Sequence, residues 1–164
     1  MAPLHRSTLA VCAALLLGAA GPVKSTPSAP VTLQSNPGTK TDATARVLSA
    51  DDLEAARTRG DQPLVLTARV KLGGPQPALF VQLQSPHECG SAGCSTSIYS
   101  VERGRWQRVL DSATGLVKVS AKKTRGRNDV LSEDDHFVWT GSAYHSVEPV
   151  PAALDLRPQT RRRR

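Results

Sequence analysis

The chain has 164 residues, with 21 lysines and arginines against 14 aspartates and glutamates, which gives a formal net charge of +7. Two of the positive charges lie near the N-terminus, and four are the terminal Arg161, Arg162, Arg163 and Arg164; setting these six aside leaves +1 for residues 26–160. Because that body is close to neutral, the composition argues against nucleic-acid binding by a basic face.

The N-terminus has the pattern of a secretory signal peptide. Arg6 precedes an apolar run from Leu9 to Leu17, and the small residues Gly18-Ala19-Ala20 follow. That run is too short to act as a stable anchor across a bilayer about 30 Å thick. We therefore predict that residues 1–25 are a cleaved signal peptide and that the mature protein is periplasmic or secreted, from a bacterium.

Two further segments are predicted to be disordered. Residues 26–45 are rich in Ser, Thr and Pro, and such a linker buries too little apolar surface to offset the entropy lost on ordering. Residues 154–164 form a basic tail, which we expect to be solvated; weak contact of its four arginines with an anionic membrane is the functional alternative. Residues 46–153 remain as a single β-rich domain, and we expect a monomer.

One short helix is predicted near the start of this domain, at about residues 50–59. Ser49 can cap the helix, and Asp52, three positions later, can reach back to it. Leu48 and Leu53 stand at the positions of a hydrophobic staple, and Gly60 suits the end of the helix.

After this helix the sequence pattern is that of strands. Apolar or alternating segments separated by glycine turns occur at residues 64–70, 78–84, 97–101, 106–110, 116–119, 137–139 and 143–145. This spacing is typical of antiparallel strands, and the chain lacks the strand–helix alternation of a doubly wound nucleotide-binding fold. The predicted fold is mainly β (α+β): an antiparallel meander of about six to seven strands with one short N-terminal helix.

The segment PHECGSAGC, residues 86–94, is the most distinctive stretch of the predicted domain. Four small residues separate Cys89 from Cys94 and allow the chain to bend sharply. In an oxidising compartment such a pair normally forms a disulfide, which we predict here. The spacing differs from the C-x-x-C of redox sites, and the two cysteines with His87 match none of the common zinc patterns. No metal site and no cofactor are predicted.

The polar residues beside this predicted disulfide suggest a contact with another protein. A loop that is held rigidly can bind a partner at little cost in ordering entropy. We therefore predict a partner-binding loop composed of Pro86, His87, Glu88, Gly90 and Ser91. The plainer alternative is an exposed turn, closed by the disulfide, that binds nothing.

Enzymatic activity is not predicted. The sequence contains no G-x-S-x-G, no H-E-x-x-H and no phosphate-binding glycine loop, and its spacing places no carboxylate pair as acid and base. Trp106, Trp139 and Tyr144 could form a platform for a sugar, although their strand positions favour core packing. The open alternatives are a binding or inhibitor module, a structural cell-envelope protein and a metal-binding periplasmic protein.

Two resemblances to known protein groups are carried by these motifs. The segments VQL, CGSAGC, WQRVL, GRNDVL and WTGSAY together look like a group of small, mostly uncharacterised bacterial exported proteins. That group has a C-G-x-x-G-C loop, then G-x-x-D, and then W-x-G-x-x-Y. The resemblance extends over most of the predicted domain and implies export, but it implies no particular activity.

The second resemblance is local. The segment QSPHECGS is similar to the C-K-P-H-[DN]-C loop of Ivy-type periplasmic inhibitors of vertebrate lysozyme. In that family the loop histidine enters the lysozyme cleft among the catalytic carboxylates, so the resemblance implies that His87 would contact a lysozyme-like partner. The chain departs from the family at Gln84, where the first loop cysteine would stand, and its own second cysteine follows the loop.

Overall fold

A computed structural model describes residues 27–133 and 135–147. The predicted signal peptide and the basic tail with its four terminal arginines lie outside these residues. The elements in chain order are β1 (Ser28–Pro30), α1 (Lys40–Leu48), α2 (Ala50–Thr58), β2 (Leu64–Val70), β3 (Ala78–Gln84), β4 (Cys89–Gly90), β5 (Gly93–Glu102), β6 (Arg105–Thr114), β7 (Lys118–Thr124), β8 (Arg127–Leu131), β9 (His136–Trp139) and β10 (Tyr144–Val147). Neither helix in this part of the chain has the length and apolar character needed to cross a membrane.

The strands form two antiparallel sheets. One sheet has the order β1-β7-β8-β9-β10, and the other runs β2-β3-β5-β4, with β6 also paired to β5. The predicted mainly β, antiparallel class is confirmed. The predicted number of strands is wrong, since the described residues contain ten. The additional strands are β1, β4 and β8, whose sequences are too polar or too short to show an apolar alternation.

The segment predicted to be a disordered linker, residues 26–45, contains β1 and most of helix α1. Thr39 caps this helix by accepting a hydrogen bond from the backbone nitrogen of Asp42, at 3.2 Å. Ala45 is fully buried in a cluster that includes Val65 of β2. Pairing of β1 with β7, the Thr39 cap and the burial of Ala45 thus each tie to the fold a part of a segment whose composition is that of a linker.

Helix α2 agrees with the predicted helix, but its start differs from the predicted capping box. The Ser49 side chain makes no cap hydrogen bond. Its hydroxyl lies 3.2 Å from the Tyr99 hydroxyl in the interior, where the residue is almost fully buried. Ser49 therefore ties the junction of the two helices to β5. The Ser49 backbone still begins the helix, because its carbonyl accepts the first helical hydrogen bond, from the Leu53 nitrogen at 2.9 Å.

The core consists of two apolar clusters on the two faces of β3. Phe80 belongs to the larger cluster, which includes residues from both sheets. Leu79 and Val81 belong to the other, which includes buried residues of α1 and α2. β3 is a central strand, paired with β2 on one side and β5 on the other. Its near-continuous apolar run is buried because one of the two clusters covers each of its faces.

One buried arginine joins the two sheets. Arg127 on β8 contacts Glu102 at 2.7 Å and donates to Ser100 Oγ at 3.1 Å, and both partners lie on β5. The guanidinium also lies 3.9 Å from the centroid of the Trp139 ring. This network explains why β8 can begin with a charged residue inside the fold, since a buried charge is tolerated when it is paired and hydrogen-bonded.

The aromatic residues of the W-x-G-x-x-Y segment complete the same region. Trp139 and Tyr144 are buried, and their rings meet edge to face with centroids 5.3 Å apart. The Tyr144 hydroxyl donates to the Asn128 carbonyl at 2.9 Å, and burial raises the pKa of this phenol. The expectation of core packing is confirmed for both rings, which excludes them from an exposed sugar platform.

Candidate functional site

The cysteine loop is closed as predicted. Cys89 and Cys94 form a disulfide with an S–S distance of 2.02 Å. They pair directly across the β4–β5 hairpin, and Gly90 pairs with Gly93. Gly93 has a φ of +93°, a left-handed value that favours glycine over residues with a Cβ. The turn and the covalent bond together fix the C-terminal half of the loop.

The N-terminal half of the loop is held by hydrogen bonds to Ser85. The Ser85 carbonyl accepts from the backbone nitrogens of Glu88 and Cys89, at 3.2 and 3.1 Å. The Ser85 side chain also accepts from the Glu88 nitrogen, at 3.3 Å. Pro86 restricts the backbone in between to a narrow φ range. The loop is therefore ordered at both ends without help from a partner.

A buried carboxylate lies beneath the loop. Asp61 follows α2, and its backbone nitrogen donates to the Ala56 carbonyl at 3.0 Å. One carboxylate oxygen accepts from the Ser85 hydroxyl and the other bonds the His87 ring nitrogen Nδ1, each at 2.8 Å. The hydrogen bonds from His87 and then from Ser85 lower the pKa of Asp61, against the opposing effect of burial. Asp61 is therefore an ionised acceptor.

This contact fixes the orientation of the histidine ring. An ionised carboxylate can only accept, so Nδ1 of His87 carries a proton and donates it. The Asp61 side chain is 7% exposed, whereas that of His87 is 59% exposed. The other ring nitrogen, Nε2, hydrogen-bonds to no described residue. His87 thus has one nitrogen anchored in the fold and one that can bind a group outside it.

Glu88, beside His87, is held by an ion pair. It forms an ion pair with Arg59, at the end of α2, and only 29% of its side chain is exposed. Of the other residues predicted to form the partner-binding loop, Pro86, Gly90 and Ser91 are exposed. One carboxylate oxygen of Glu88 is therefore already bound within the fold.

A small polar pocket lies beside the loop. It has a volume of about 130 Å³, and Glu88 is among its lining residues. Arg108 also lines it and forms ion pairs with Asp52 and Asp111, and it donates to the Tyr99 hydroxyl at 3.0 Å. The charged groups that line this pocket are therefore already paired within the protein.

Ser85, His87 and Asp61 are the residue types of a serine-hydrolase catalytic triad, but their hydrogen bonds differ from those of such a triad. Catalysis of that kind needs the serine hydroxyl to donate to the histidine, which the aspartate then orients. Here the Ser85 hydroxyl donates to Asp61 instead. His87 therefore has no contact through which it could activate Ser85.

Sequence reasoning did not identify Arg59 or Asp61 as part of this site. Both precede the loop by more than 20 residues, and no motif links them to it. The connection arises from the β2–β3 register, in which Leu64 pairs with Gln84. This register places the residues before β2 beside those after β3. Assigning the register of the predicted strands at residues 64–70 and 78–84 would have revealed this proximity.

Within residues 27–133 and 135–147, no group of three or more His, Cys, Asp or Glu side chains is arranged to hold a metal ion. Both cysteines of the loop are used by the disulfide, so they offer no thiolate ligand. Comparison with protein-family models, with curated proteins and with solved structures finds no match to this chain.

Proposed function

We propose that this chain is an exported, monomeric and non-catalytic binding module that presents the disulfide-closed loop of residues 86–94 to a protein partner. The observation that supports this proposal best is the state of His87. Its Nδ1 is bound to a buried carboxylate while most of the ring is exposed. A partner therefore meets a side chain that has already lost most of its rotational freedom.

The loop would bind with little loss of entropy. Immobilising a side chain at an interface costs about 0.5–1.5 kcal/mol, and ordering a flexible loop costs more. Three restraints already order the loop in the folded protein: the Cys89–Cys94 disulfide, the Ser85 hydrogen bonds and the Asp61 contact. Little of this entropy is therefore left to lose on binding. The same preorganisation is common in protein inhibitors, whose interfaces move little on binding.

The chemistry of His87 favours an acidic partner. With Nδ1 donating to Asp61, a protonated ring offers its Nε2 hydrogen to a second carboxylate. A hydrogen bond that involves a charged group contributes about 1.5–3 kcal/mol. The acidic cleft of a lysozyme-like enzyme is the specific partner that we propose, following the resemblance of QSPHECGS to the Ivy-type loop.

A comparison of captured partners tests the proposal. The wild-type chain and the variant His87→Ala are immobilised and exposed to the same cell-envelope extract, and the eluates are compared by quantitative mass spectrometry. His145→Ala is a matched control, since His145 is an exposed histidine on β10 whose side chain makes no hydrogen bond to a described residue. We expect a partner that the wild type and His145→Ala retain and that His87→Ala loses.

The proposal fails if the three baits retain the same proteins in the same amounts. An inhibition assay with a vertebrate lysozyme then examines the specific partner. Inhibition by the wild type, and its loss in His87→Ala, would support the lysozyme-like cleft. If a partner is captured but no lysozyme is inhibited, the binding module stands and this identification of its partner is wrong.

A further inference from the structure

A second surface lies at the opposite end of β2 from the cysteine loop. Two open clefts, each of about 370 Å³, adjoin there and share Thr41 and Arg69 in their linings. We call this surface the Arg69 groove and define it by Thr32, Gln34, Lys40, Thr41, Arg69 and Trp106. Each cleft falls within the range of about 300–1,000 Å³ that is typical of small-molecule sites.

One wall of the groove is a segment laid along β2. The backbone nitrogen of Gln34 donates to the Thr67 carbonyl at 3.0 Å, and the Thr67 nitrogen donates back at 2.8 Å. These bonds attach to β2 a part of the segment predicted to be a disordered linker. The side chains of Thr32, Gln34 and Thr41 form no hydrogen bond to a described residue, so their polar groups are available to a ligand.

The groove has two cations and no lining carboxylate. Arg69 and Lys40 line it, and no aspartate or glutamate is among the lining residues of either cleft. In the described part of the chain, neither cation forms an ion pair. The Arg59, Arg108 and Arg127 side chains, in contrast, each pair with a carboxylate of the protein. The groove therefore carries uncompensated positive charge.

Trp106 holds the arginine in a defined position. The Arg69 guanidinium lies 5.2 Å from the centroid of the Trp106 ring, within the range of a cation–π contact. Trp106 itself packs against the second core cluster. A guanidinium stacked on a ring keeps its N–H edges free, and those edges match the two oxygens of a carboxylate or the oxygens of a phosphate.

From these features we infer that the Arg69 groove binds an acidic saccharide. The anionic group of the sugar pairs with the Arg69 fork, assisted by the charge of Lys40. Its ring hydroxyls bond to the hydroxyl and amide side chains of Thr32, Gln34 and Thr41, which can both donate and accept. This site shares no residue with the cysteine loop, and the inference does not depend on the proposed protein partner.

Calorimetric titration of the full chain tests the inference. The probes are trigalacturonate, which carries carboxylates, and maltotriose, a neutral trisaccharide of the same length. We expect trigalacturonate to bind at least about tenfold more tightly, because hydrogen bonds to a charged group are worth more than neutral ones. Glucuronate and glucose 6-phosphate then identify the preferred anion, carboxylate or phosphate, by which of them binds more tightly.

Three variants locate the site. Arg69→Gln, at an exposed position of β2, should weaken binding of the acidic sugar at least about tenfold, and Arg69→Lys should fall in between because it keeps the charge and loses the fork. Lys123→Gln removes the same charge from an exposed position of β7 and should have no effect. The inference is overturned if no acidic saccharide binds, or if Arg69→Gln and Lys123→Gln bind it equally well.

Discussion

His87 Nδ1 lies 2.8 Å from Asp61 Oδ1, and this contact joins an exposed ring on the cysteine loop to a buried carboxylate at the end of α2. The pair has a clear division of roles. Asp61 is ionised and also accepts a hydrogen bond from the Ser85 hydroxyl, so it restrains both the Ser85 side chain and the ring. His87 is left with a single nitrogen for external contact.

The first prediction concerns the role of Asp61 in binding. Asp61→Asn replaces a charged acceptor by a neutral amide, so the ring should be held less firmly and binding of a partner captured through His87 should weaken about three- to tenfold. The double variant Asp61→Asn/His87→Ala should bind no more weakly than His87→Ala alone, since residues that act through one contact are not additive. Calorimetric titration of the wild type, the two single variants and the double variant measures the losses of affinity. Additive losses would show that Asp61 does not act through His87.

The second prediction is the dependence of stability on pH. Because the folded-state pKa of Asp61 lies below its ordinary value of 3.8, the stabilisation is fully present above about pH 4 and is lost as the pH falls through the folded-state value. The stability advantage of the wild type over Asp61→Asn should therefore be constant around neutral pH and shrink as the pH falls below about 4. Urea unfolding at several pH values measures it.

Removing the hydrogen-bond donors to Asp61 checks the same pH dependence of stability. His87→Ala and Ser85→Ala each remove one donor to Asp61, so each should reduce the loss of stability on acidification, His87→Ala by more. An advantage over Asp61→Asn that stays constant from neutral pH into the acid range below about pH 4 would contradict the assignment of Asp61 as a carboxylate stabilised in the folded state.

The third prediction concerns the disulfide. The double variant Cys89→Ser/Cys94→Ser should lose about 2 kcal/mol of unfolding free energy, which is the chain-entropy value for so short a ring. Urea denaturation of oxidised wild type and of the variant measures the difference. Intact mass before and after alkylation supplies the control, because two free thiols in freshly exported protein would show that the bond is absent.

The fourth prediction concerns the arginine that joins the sheets. Arg127→Ala leaves Glu102 without its partner in a largely enclosed position and should cost about 2–3 kcal/mol, somewhat less than the 3–5 kcal/mol that is typical of fully buried pairs. The matched control is Arg57→Ala, whose exposed pair with Glu54 is worth no more than about 0.5 kcal/mol. Equal losses in the two variants would contradict a bridging role for Arg127.

The strongest sequence signals were those with a local cause. Helix α2, the apolar run of β3 and the disulfide between Cys89 and Cys94 all follow from patterns that span a few residues, and the structure contains each of them. The helix start was assigned correctly although its predicted cap was not, because the Ser49 hydroxyl bonds Tyr99 from a different part of the chain.

The features that sequence reasoning missed depend on contacts distant in the chain. Strand β8 begins with Arg127, Asn128 and Asp129, and these polar residues are enclosed only because β5, β7 and β9 supply partners for them. Helix α1 was likewise not predicted, because it lies in a threonine-rich segment whose burial depends on contact with β2. At the cysteine loop, the motif identified His87 but could not identify the carboxylate that orients it.

The fifth prediction tests the central claim, that His87 is the binding group of a preorganised loop. Wild type, His87→Ala and His145→Ala are titrated by calorimetry, first with vertebrate lysozyme and then with any protein recovered from envelope extract. We expect His87→Ala to bind at least about tenfold more weakly, which corresponds to the loss of one hydrogen bond to a charged group, and His145→Ala to match the wild type. If His87→Ala binds every such partner as tightly as the wild type does, the loop is only a turn closed by a disulfide.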